Sequence, residues 1–150
     1  GYGAAFSPAG GSNYAVIGAT TDIQNFNHAV NQPAGVGFIA NLATTGMSAQ
    51  VGQFFLAAPT FNPNSTLFMV WGGPNDLFLG LALGADLAVV GEAAVGNLAS
   101  IVGGLFVAGA KTVLVPLMPD LALTPLGRSS SPADAAALSL FTAGFNAGLT

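Results

Sequence analysis

Cysteine is absent from the 150 residues, which excludes disulfides, thiolate nucleophiles and Cys-ligated metals. Charge is almost as scarce: charged residues make up 5% of the chain, against roughly 25% in an ordinary soluble domain. Two basic residues, Lys111 and Arg128, face six acidic ones, and the net charge is −4. Such a surface offers no electrostatic footprint for nucleic acid and nothing to hold the chain on an anionic membrane. Histidine occurs once, at His28, and one imidazole is too few for a metal centre. The opening residues, GYGAAFSPAGGSN, show no basic start and no apolar run of the kind a secretory leader carries. With so little charge, solubility rests on Asn, Ser, Thr and Gly, a composition associated with secreted bacterial proteins.

What is present is apolar. Hydrophobic residues reach 52%, and the length suffices for one domain with its own core. The organising stretch is LFMVWGGPND, from Leu67 to Asp76. An apolar run without alternation, closed by Gly72 and Gly73, predicts a strand buried on both faces that ends in a tight turn. In an open α/β sheet, ligands and catalytic groups sit at the carboxyl ends of strands. Asn75 and Asp76 are therefore where chemistry is expected.

In chain order, NYAVI (Asn13 to Ile17) predicts a short strand running into Gly18. Asp22 to Asn41 is polar and broken by Pro33, Gly35 and Gly37, and predicts loop. Met47, Val51, Phe54 and Phe55 recur at helical spacing from about Thr45, with Pro59 as the stop. After Asp76 a Leu- and Gly-rich connection is expected, then a long apolar helix capped by Asp86 and ending near Gly109. Its segment from Ala93 to Ala110 is uncharged and just long enough to span a membrane. Gly96, Asn97, Ser100, Gly103 and Gly104 within it favour a crossover helix buried against a sheet, so no stable membrane insertion is expected. TVLVPL (Thr112 to Leu117) predicts another buried strand. Pro119 to Ser130 reads as loop, and Ser131-Pro132 opens a last helix through Leu138, Phe141 and Phe145. Alternating strands and helices predict an α/β fold, a parallel sheet with helices on both faces.

Three blocks carry a resemblance: NYAVIGATT (Asn13 to Thr21), QVGQF (Gln50 to Phe54) and WGGPND (Trp71 to Asp76). With Gly109-Ala110, Val115-Pro116, Pro119-Asp120-Leu121 and Phe145-Asn146-Ala147 downstream, the chain resembles the GDSL lipase/esterase group, the SGNH hydrolases, from about Asn13 onward. The resemblance implies a three-layer α/β/α sandwich of flavodoxin type, here as a partial hydrolase domain over residues 1–150 truncated at both ends. It implies serine ester hydrolysis of a small-molecule ester or lipid, with no metal or organic cofactor. It places the family's Gly at Gly18 and its Asn at Asn75, the two oxyanion donors, with Gly73 and Asp76 in support. Ile17 stands where a second Gly is expected. A backbone N–H at a residue without Cβ and a side-chain amide that does not titrate both suit that task. Asp76 is expected to hold the loop by hydrogen bonds, and Phe78 and Leu79 to touch an apolar acyl or alcohol group.

The resemblance leaves the nucleophile and its relay unfilled. Ser7 and Ser12 are not in a GDS motif, and no D-x-x-H occurs. His28 lies where the family has no catalytic residue, and Asp120 belongs to a different segment. Since a relay needs all its members, the chain by itself is expected to be inactive on esters. The competing expectation is a non-enzymatic secreted surface or adhesion module. An enzyme must bring Gly18 and Asn75 together; an adhesion module has no reason to.

Overall fold

The two longest helices among the described residues each begin at a side chain that satisfies a free amide, and the fold is assembled mainly from helices. The computed structural model describes residues 11–30 and 42–150. In order the elements are α1 (Phe26–Val30), α2 (Met47–Ala57), β1 (Phe68–Met69), α3 (Pro74–Leu83), α4 (Leu87–Val107), β2 (Val113–Leu114), a 3-10 turn (Leu121–Leu123), α5 (Pro125–Ser129) and α6 (Pro132–Gly148). The Asp86 carboxylate accepts from the Ala88 amide at 2.9 Å to start α4. Ser131 accepts from the Asp134 amide at 3.2 Å and donates to its carboxylate at 2.7 Å to start α6.

The expected three-layer sandwich is not formed. Among the described residues the sheet has two strands, β1 and β2, parallel, with Phe68 opposite Val113 and Met69 opposite Leu114. So narrow a sheet cannot keep helices apart on its opposite faces. The strand expected over Asn13 to Ile17 makes no ladder with either: the Asn13 side chain takes the Ala15 amide at 3.1 Å, a local bond that competes with strand pairing. Nor is β1 buried on both faces. Phe68 and Val70 turn inward, whereas Met69 is 67% and Trp71 47% exposed. Apolar residues fill both faces of the run, so its sequence does not reveal that only one is covered.

Two segments expected as irregular are partly helical. The connection after Asp76 is α3, with Pro74 at its first position and Gly84 (φ +66°) closing it. Gly80 does not break it: a Cβ there would press on Val90 and Leu87, so its bareness serves close packing of α3 on α4. The loop expected over Pro119 to Ser130 holds the 3-10 turn and α5. The loop expected over 22–41 contains α1, and residues 31–41 lie outside those described.

The core lies among α3, α4, α6 and the inner face of the sheet. Gly91, Ala94, Leu98, Ile101 and Leu105 form one buried stripe along α4. Against it α6 brings Leu138, Phe141 and Phe145, the two rings stacked at 6.1 Å. Among the described residues α4 is the one helix long and apolar enough to cross a membrane.

Candidate functional site

The segment after Ile17 closes on itself. Gly18 adopts φ +80°, and a Cβ there would collide with the Asn27 amide, so this turn requires glycine. The Gly18 carbonyl accepts from the Phe26 amide at 2.7 Å, Ala19 bridges Asn25, and the Thr20 amide and hydroxyl both donate to the Gln24 carbonyl. Asn25 sits inside the loop, 1% exposed, donating to the Ile17 carbonyl and the Thr45 hydroxyl while accepting from the Asn27 amide. The Gly18 N–H itself makes no hydrogen bond among the described residues.

Three helices grip this loop. The α2 N-terminus has no side-chain cap among the described residues; instead the amides of Gly46, Met47 and Ser48 donate to the carbonyls of Ile23, Thr20 and Asp22. The Ser48 hydroxyl adds a bond to the Thr21 carbonyl at 3.0 Å. From α3, Asn75 Nδ2 donates to the Ala19 carbonyl at 2.9 Å. Its neighbour Asp76 accepts from the Thr21 amide at 3.0 and 3.1 Å and from the Thr21 hydroxyl at 2.7 Å. From α4, Asn97 Nδ2 donates to the same hydroxyl at 3.1 Å.

The structure thus brings Asn75 of α3 against the turn that holds Gly18, through a single hydrogen bond to the carbonyl of Ala19, the residue after Gly18. The second Nδ2 hydrogen takes no partner among the described residues. Gly73, two residues before Asn75, is the N-cap of α3 at φ +112°, its bare Cα facing Phe145 and Met118. Burial pushes the Asp76 carboxyl above its ordinary range; the Thr21 hydroxyl and amide pull it down without cancelling that, and Asp22 adds to the rise. Its environment is that of a carboxylate used as a structural acceptor.

Phe78 is half-buried on α3, its ring 6.1 Å from Phe26, the residue whose amide holds the Gly18 carbonyl. Leu79 is buried, 9% exposed, and packs inside rather than presenting a surface to a substrate. His28 is in α1, not in a loop. Asp120 caps the 3-10 turn through Ala122 and accepts from Ser139 of α6, a structural role. Among the described residues no cluster of acidic residues and histidine gathers for a metal. An apolar groove of about 540 Å³ between α4 and α6 is lined by neither Gly18 nor Asn75.

Thr21, Asn25, Ser48 and Asn97 do not stand out as site residues by sequence. Asn97 carries a usable signal, a lone amide beside the apolar stripe of a long helix. Compared with known proteins, the chain matches no protein-family model and no curated sequence.

Proposed function

We propose that this chain is the middle part of a secreted serine ester hydrolase, a carboxylesterase or lipase of the GDSL type, and that it supplies the oxyanion donors. In this reading a serine from outside these residues attacks the ester carbonyl, whose oxygen gains a full negative charge in the tetrahedral intermediate. The Gly18 N–H and the remaining Nδ2 hydrogen of Asn75 are donors that meet that charge already oriented, so no reorganisation is needed as it develops. Because neither donor titrates in the working pH range, their action is independent of pH. The intermediate collapses to an acyl-enzyme as the ester C–O bond breaks, the leaving alcohol taking the serine's proton from an Asp-His pair also from outside this chain. Water activated by the same pair then hydrolyses the acyl-enzyme to the free acid. Phe78, packed beside Phe26, is the apolar wall proposed for the acyl or alcohol group.

The observation that carries the reading is the 2.9 Å bond from Asn75 Nδ2 to the Ala19 carbonyl, across 56 residues of sequence. It joins the two blocks that the resemblance assigns to the oxyanion donors.

The test is an ester-hydrolysis assay on the protein encoded by the complete reading frame around this chain. Asn75→Ala is expected to lower kcat by about 10²–10³ with KM little changed, the effect of losing one oxyanion donor. An Asn75→Ala protein that folds and turns over like the parent, or a complete protein with no esterase activity, overturns the reading. The isolated 150-residue chain is expected to be inactive in the same assay.

A further inference from the structure

We propose that Asn97 is a positioning residue for the Gly18–Asn75 pair: its amide orients the Thr21 hydroxyl, and through it α4 fixes the donor turn on the first turn of α3. This rests on the ester-hydrolase reading for its functional meaning, but not for its geometry.

A threonine hydroxyl has one proton and rotates freely unless something takes its lone pairs. Here the Asp76 carboxylate, 2.7 Å away, takes that proton. The hydroxyl oxygen must then be the acceptor toward Asn97, which fixes the Asn97 amide as the donor at 3.1 Å. The order Asn97 to Thr21 to Asp76 runs in one direction, each bond polarising the next. Its end is the carboxylate that also holds the Thr21 amide, three residues beyond Gly18 and beside Asn75.

The other polar residues of α4 do nothing comparable among the described residues. Ser100 bonds back to the Gly96 carbonyl within its own helix, and Glu92 is exposed. Asn97 reaches across to another segment. Packing would be served as well by leucine at this position, so the amide has a use that apolar contact does not explain.

Amide hydrogen exchange and carboxyl titration, both followed by NMR on this chain, test the proposal without any turnover. Asn97→Ala is expected to speed Thr21 N–H exchange by about tenfold, the loss of one bond in a charged network, and to move the Asp76 midpoint upward. Asn97→Leu, which restores volume without a donor, is expected to do the same, and stands in if the alanine variant does not fold. Thr21→Ser keeps the hydroxyl and should stay near the parent. In a Thr21→Val background, Asn97→Ala should add nothing, because the route is already cut. Asp22, the other carboxylate acting on Asp76, is unchanged throughout. Exchange within twofold of the parent in both Asn97 variants, or full additivity with Thr21→Val, overturns the proposal. An Asn75→Ala enzyme of undiminished activity would sink the esterase reading and leave these results standing.

Discussion

Asn75 and Asp76 are neighbours that hold one loop by opposite means: one donates to the Ala19 carbonyl, the other accepts from Thr21. Asp76 makes the fold sensitive to pH in a definite sense. Its folded-state pKa is raised by burial, so between the unfolded value, about 3.9, and the higher folded one the native state binds more protons. That contribution to stability is complete below the unfolded value and is lost as pH rises through the folded one. Urea unfolding from pH 3.5 to 7 should show a declining component that Asp76→Asn removes. The residues of this site differ in how legible they are. Gly18 and Asn75 can be paired because each lies within a recognisable block. Thr21 and Asn97 cannot, because partners 55 and 76 positions away leave no local pattern.

Among the elements, local chemistry is legible where it completes itself within a few residues. The starts of α4 and α6 follow from Asp86 and from Ser131-Pro132, and Ser131→Ala should cost about 1 kcal/mol in a urea titration. α3 escapes the sequence reading because its glycines look like breakers, yet each has a different task. Gly80 permits contact with α4, and Gly84 ends the helix in open space. Gly73 combines φ +112° with a Cα facing Phe145 and Met118. Gly73→Ala is therefore expected to cost on the order of 3 kcal/mol, backbone strain and overpacking together. Gly84→Ala, with strain alone, should cost about 1 kcal/mol. Thermal or urea unfolding of the two variants side by side checks the difference.

For the molecule as a whole, the sequence predicts alternation and the structure delivers a helical assembly around two short strands. Composition can count candidate strands but not tell which find partners, and NYAVI finds none of the expected ladder among the described residues. The pair that does form leaves Leu67, Met69, Trp71 and Leu114 exposed on its outer face. A contiguous apolar patch of this kind binds apolar probes. An anilinonaphthalene dye should fluoresce on the native protein and quench Trp71, the sole tryptophan, and Met69→Thr with Leu114→Thr should lower both effects. The long reach of the bonds around Thr21 also sets an order of events during synthesis. The loop emerges from the ribosome first, but Asn97 follows 76 residues later, roughly 4–15 s at a translation rate of about 5–20 residues per second. Until then the nascent loop lacks its third anchor, so the turn around Gly18 takes its final shape only after α4 has been made.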